Sequence, residues 1–86
     1  MPAKNQPENR DSSMELEFTK LLLENERAIF GFIYSLTHDR AAATELRQEL
    51  AGRLWKKFDQ YDYSRPFVAW AIGFARLLVL SGAGSR

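Results

Sequence analysis

Eighty-six residues, 45% of them hydrophobic, allow one small domain and exclude a wholly disordered chain. The absence of cysteine removes disulfides, thiol catalysis and cysteine–zinc sites, and the single histidine, His38, has no grouped carboxylates with which to hold a metal. The net charge of +1 hides an asymmetry: residues 1–49 hold six Lys/Arg against nine Asp/Glu, or −3, and residues 50–86 hold six against two, or +4. A basic C-terminal half suits a polyanionic partner, and chance clustering on a solvated face explains it as readily.

Residues 1–13 are polar, contain two prolines and show no periodicity, so they read as a disordered lead. They lack the apolar core of a secretory signal. The spacing Ser12-x-x-Glu15 is that of a capping box and predicts a helix start. From Met14 the residues Phe18, Leu21, Leu22, Ile29, Phe32, Ile33 and Leu36 recur at three- and four-residue spacing, which predicts an amphipathic helix. The polar run at Glu24–Glu26 marks a place for a break. Thr37–Asp39 then forms a turn, with Asp39 as the N-cap of a second helix.

At 100° per residue, the second helix gathers Ala43, Leu46, Leu50, Ala51, Leu54, Trp55 and Phe58 on one face. Glu45, Gln48, Glu49, Gly52 and Lys56 fall opposite. Arg47 projects from the apolar side, and two fates are open to it: snorkelling along its methylenes, or pairing with a carboxylate of the first helix. The stretch Lys57–Arg65 is a loop dense in Asp, Tyr and Ser. Arg65-Pro66 restarts a third helix, Pro66 to about Leu80, apolar nearly all round except for a strip of Ala69, Gly73 and Arg76. Gly82, with Ser81 and Gly84, ends it. The expected fold is all-α, a small bundle of three to four helices over residues 14–81, with 82–86 a flexible tail. The longest apolar run, Pro66–Ala75, is shorter than the ~20 residues of a membrane span, so a soluble, cytoplasmic protein is expected.

No catalytic constellation is present, and no enzyme activity, cofactor or metal is expected. The polar face of the second helix would ordinarily be solvated surface. However, Gly52 in mid-helix costs about 1 kcal/mol against Ala and leaves a flat spot where another helix could approach. The aromatics of "FDQYDY", with Phe67 and Trp70, would ordinarily be core. Interleaved with Lys56, Lys57, Arg65 and Arg76, they also describe a surface where single-stranded bases stack while cations hold phosphates.

These residues carry a family likeness. "HDRAAATELRQELAGRLWKKFDQYD" followed by "RPFVAWAIGFAR" resembles the second conserved region of bacterial sigma-70 family sigma factors, most closely the extracytoplasmic-function (ECF) group. The acidic-Leu-x-Gln-Glu element is matched by Glu45, Leu46, Gln48 and Glu49, followed by Leu54 and Trp55. The Phe-x-Ala-Trp…Ala-Arg element is matched by Phe67, Ala69, Trp70, Ala75 and Arg76. The likeness covers roughly Phe18 to Leu80.

The resemblance implies a sigma region 2-like domain that binds core RNA polymerase through the clamp helices of its β′ subunit. Glu45, Leu46, Gln48, Glu49, Gly52, Arg53 and Lys56 would be the polymerase-binding residues. It also implies recognition and melting of the promoter −10 element. There Tyr61, Asp62, Tyr63, Ser64 and Arg65 would form the loop capturing non-template bases, with Phe67, Trp70 and Arg76 at the fork and Lys57 among the cations. An anti-sigma factor is a further partner. Three features depart from the family pattern: Glu45 stands where Asp is frequent, Arg47 replaces an aliphatic, and "LLVLSGAGSR" replaces an Asn, an Asp and a basic tract. The family's C-terminal region 4 domain is not expected within these 86 residues. The rival reading is a helical interaction module that dimerises through the apolar third helix, where Leu77, Leu78 and Leu80 would form a sticky end, without binding DNA.

Overall fold

In the computed structural model the backbone is described for residues 2–82 and the side chains for residues 12–82. Four helices follow one another: α1 (Pro2–Glu24), α2 (Glu26–Thr37), α3 (Arg40–Lys56) and α4 (Phe67–Leu80), with a 3-10 turn at Phe58–Gln60 between the last two. No strand occurs among the described residues. The architecture is the expected all-α bundle at its upper helix count.

The break expected at Glu24–Glu26 falls on Asn25, whose φ of −111° and ψ of 11° interrupt the helical run. Its backbone N–H donates to the Leu21 and Leu22 carbonyls, and its amide Nδ2 donates to the Leu21 carbonyl at 2.8 Å. The chain thereby changes direction without leaving helix-end carbonyls unpaired. The start of α1 differs from expectation. The backbone of Pro2–Ser13 forms its opening turns, where a disordered lead over residues 1–13 is expected from composition. Ala3, Lys4, Gln6, Glu8 and Arg10 are good helix formers. A helix already running through Ser12 leaves no free N–H groups there to cap, so the capping-box spacing starts nothing. Met1 and residues 83–86, which include most of the expected tail, lie outside the described residues.

Asp39 is the N-cap of α3, its Oδ1 accepting from the N–H groups of Ala41 (3.0 Å) and Ala42 (3.2 Å). His38 precedes it with φ 55°, the left-handed residue that closes α2, and its N–H donates to the Tyr34 carbonyl. Inside, α3 presents Ala43, Leu46, Leu50 and Leu54, all fully buried. They meet Ile29 and Ile33 of α2 and Phe67, Ala71, Ala75 and Leu78 of α4. Each large apolar side chain removed from water stabilises the fold by about 1.5–3 kcal/mol before entropy is charged. Leu36 and Trp55, placed on core faces by periodicity, are 44% and 40% exposed. Both lie at the margin of their stripe, where neighbouring helices cover only one side.

Arg47 takes the second of its two fates. Its Nε lies 3.2 Å from Oε2 of Glu26 at the start of α2, both side chains about one-third exposed. The pair cross-links α2 to α3 at the rim of the core. At α4's far end Gly82 adopts φ 88° and its N–H returns to the Val79 carbonyl, the left-handed cap expected of a glycine there.

Candidate polymerase and nucleic-acid interface

The site is assembled on α3, the loop after it, and the first turns of α4. Glu45, Gln48, Glu49, Gly52, Arg53 and Lys56 are exposed together on α3. Arg53 donates to Oε2 of Glu49 at 3.1 Å, an i,i+4 pair. Among the described residues nothing would meet a Cβ added at Gly52 within 4 Å, so the flat spot is open to the outside. Leu46 must be removed from the expected contact set: it is 1% exposed and packs in the core. Its motif position reflects the need to seat the helix, and the polar residues around it are the exposed ones.

The loop is built on aromatic rings around Phe58, which is 2% exposed. Its ring lies 5.9 Å from Tyr61, 6.1 Å from Tyr63, 6.4 Å from Trp70, 6.2 Å from Trp55 and 5.2 Å from Phe18 of α1. Phe18 also reaches Trp55 and Phe67, so α1 props the loop from beneath. Tyr61 closes the loop by donating its hydroxyl to the Arg65 carbonyl. Asp62 folds the tip: its Oδ1 accepts from the Ser64 N–H at 2.9 Å and from the Ser64 hydroxyl at 2.7 Å. Those two hydrogen bonds hold the Asp62 carboxyl below the usual carboxylate range, with the Arg65 charge adding to them. The Tyr63 hydroxyl is pushed up from its ordinary value by desolvation and by the Glu17 carboxylate of α1.

Three members of the expected DNA-binding set are reassigned by burial or direction. Tyr61 (8% exposed) and Phe67 (4%) are core residues, closed off by the rings around Phe58. Arg76 is six residues after Trp70, about 120° round α4 at 3.6 residues per turn. It does not join Trp70 at a fork, and its guanidinium lies 5.6 Å over the Phe32 ring of α2. Besides Arg76, the exposed members are Lys57, Asp62, Tyr63, Ser64 and Arg65, with Tyr63 the freest aromatic at 60% exposure. Trp70 is half-buried, its ring 4.9 Å from Tyr61 and 5.2 Å from Phe74. Sequence reasoning missed Phe18 and Phe74. Phe74 was legible as the i+4 neighbour of Trp70; Phe18 was legible as core, but its position under the loop was not.

The candidate site is thus an open polar stripe on one helix beside a cation-edged aromatic loop, a surface on a helical domain. Among the described residues no group of three His, Cys, Asp or Glu side chains could hold a metal ion, and no helix is long and apolar enough to cross a membrane. A family model for sigma-70 region 2 matches residues 21–83, well over half the chain, and the chain belongs to that family. It is thus a domain of transcription initiation, of the kind that interacts with core RNA polymerase and promoter DNA. No curated protein and no solved structure matches it.

Proposed function

We propose that the domain docks on the β′ clamp helices of core RNA polymerase through Glu45, Gln48, Glu49, Gly52, Arg53 and Lys56, and that the loop Asp62–Arg65 with Trp70 captures bases of the melted non-template −10 strand. The ECF group is the sigma class the motifs fit, and its site of action is the cytoplasm, where the polymerase works. The observation that carries the reading is the division of α3. Leu46, Leu50 and Leu54 are fully buried, while the polar residues of the same motif face outward and, among the described residues, nothing lies within 4 Å of a Cβ added at Gly52. A helix with its apolar side already used has a polar side available for a second protein, and paired Glu/Gln acceptors suit a basic coiled coil.

The DNA half is supported by chemistry. Tyr63 offers an open ring face, Asp62 and Ser64 offer polar groups to a base edge, and Lys57 and Arg65 offer charge to phosphates. Stacking on an aromatic is worth about 1–3 kcal/mol per base. Binding of the chain to a β′ clamp-helix fragment tests the first half. Gln48→Ala and Glu49→Lys should each weaken binding at least several-fold while leaving the thermal transition in place. No binding by the wild type sinks the polymerase assignment. Tyr63→Ala should weaken binding of a single-stranded −10 oligonucleotide; equal affinity at low salt removes the DNA assignment.

A further inference from the structure

The outer side of α2 carries a second surface, built from residues that neither half of the proposed function uses. Ile29 and Ile33 turn inward and are fully buried. Gly31 lies two residues from each, about 200° round the helix, so it sits at the centre of the outward face. Among the described residues nothing would meet a Cβ added at Gly31 within 4 Å. A glycine weakens the middle of a helix relative to alanine, and no packing among the described residues requires one here. Arg27 one turn before it, Tyr34 one turn after it and His38 a turn further on are exposed along the same side. From Arg27 to His38 the stripe covers about 16 Å at 1.5 Å per residue. Phe30 forms its floor. That ring packs on the core, stacks on Tyr34 with centroids 6.4 Å apart at 11°, and carries the Arg40 guanidinium 5.7 Å over its face. Arg40 opens α3, so the patch joins two helices.

We infer that this face of α2 is a docking surface for an acidic amphipathic helix of another protein, which seats its apolar side over Gly31 and turns carboxylates to Arg27 and Arg40. The inference stands apart from the polymerase and DNA readings and needs neither. Charge supports it. Neither Arg27 nor Arg40 has a carboxylate within 4.0 Å among the described residues, and both are exposed. The acids next to them in sequence are engaged elsewhere. Glu26 pairs with Arg47 at 3.2 Å, and Asp39 Oδ1 accepts from the Ala41 and Ala42 N–H groups. Two unpaired guanidiniums beside a ring call for an anionic partner with an apolar side, since Tyr34, 43% exposed, offers a ring face as well as a hydroxyl. A helix fits the flat spot because glycine lets a second backbone come close, and a stripe of ~16 Å matches about three of its turns. A nucleic-acid backbone fits less well. It calls for several cations in a row, whereas Glu26 and Asp39 stand next to the two arginines.

The test titrates the full chain with a synthetic peptide of about 18 residues, long enough to hold a helix in water, bearing Glu along one face and Leu and Ala along the other. Fluorescence anisotropy gives the affinity, and backbone amide shifts of the isotope-labelled chain give the place. Shifts should change over Arg27–His38 and at Arg40 and leave the Gln48–Gly52 face of α3 unmoved. Arg27→Glu/Arg40→Glu should weaken binding at least about fivefold at low salt, because two attractive pairs become repulsive. Gly31→Gln should weaken it too while raising the thermal midpoint, which separates docking from folding. Neither variant should alter binding of the β′ clamp-helix fragment or of a single-stranded oligonucleotide. The same peptide with Lys in place of Glu should not bind. The inference is overturned if the acidic peptide does not bind the wild type, if the double reversal keeps the wild-type affinity, or if the shifts fall on the basic loop at Lys57 and Arg65. It is overturned too if the double reversal lowers oligonucleotide affinity, which would make the patch a nucleic-acid surface. A wild type that sediments as a dimer and is dissociated by the same reversal would make the occupant a second copy, and that also overturns it.

Discussion

Phe18 lies outside the stretch matched by the family model, 21–83, yet its ring is 6% exposed and wedged against Trp55, Phe58 and Phe67 at centroid distances of 5.4, 5.2 and 6.1 Å. If α1 is an integral prop of the loop, Phe18→Ala should be costly. Phe→Ala in a core costs about 3–5 kcal/mol. Here the ring fills the edge of the core and α1 can settle part-way into the space, so the low end, about 3 kcal/mol, applies. A domain of this length has about 4–13 kcal/mol in all at 0.05–0.15 kcal/mol per residue. The variant therefore loses a quarter or more of its stability, and its thermal midpoint should fall by about 12–24 °C at 4–8 °C per kcal/mol. Urea unfolding followed by circular dichroism measures both the free energy and its slope with denaturant. An unchanged slope with the midpoint lowered means that α1 still docks and has lost contact energy. A loss below about 1 kcal/mol at unchanged slope refutes the claim that Phe18 fastens α1 to the loop. A lower slope alone would show α1 detached in the native variant. The same variant should bind single-stranded oligonucleotides more weakly, because Phe58, the ring on which Tyr61 and Tyr63 lean, loses its support.

Gly52→Ala separates folding from docking. With no neighbouring atom of the described residues within 4 Å of the added Cβ, the substitution should stabilise the free chain by about 1 kcal/mol, raising its thermal midpoint, and weaken binding to the β′ clamp-helix fragment by filling the flat spot. Unchanged binding would remove Gly52 from the interface. The loop should also respond to acid. Asp62 titrates below its unfolded value of about 3.9 because Ser64 bonds the carboxylate form. The turn is thus intact above that value and is lost as the pH falls through the lowered native one. Carbon-detected NMR of the Asp62 carboxyl reads this directly, and a midpoint at or above the ordinary value would contradict the turn; Asp62→Asn should abolish the step.

Periodicity by itself determined the outward and inward faces of α3, the cap at Asp39, the break near Asn25 and the restart at Pro66, because these depend on neighbours within a turn or two of helix. The same local signal could not decide the role of an aromatic. Tyr61, Tyr63, Phe67 and Trp70 look alike in sequence, yet Tyr61 and Phe67 are closed into the core, Trp70 is half covered, and Tyr63 stands free. Which rings become walls and which remain surface is set by the rings of α1 and α3 that fold against them. Arg47 shows the same limit. Its spacing permitted two fates, and the choice came from Glu26, 21 positions earlier, being brought to 3.2 Å by the packing of α2 on α3. Leu46, read as a contact from its motif, is core for a related reason: a motif records which residues occur together, whereas burial is decided by the helices that close over them.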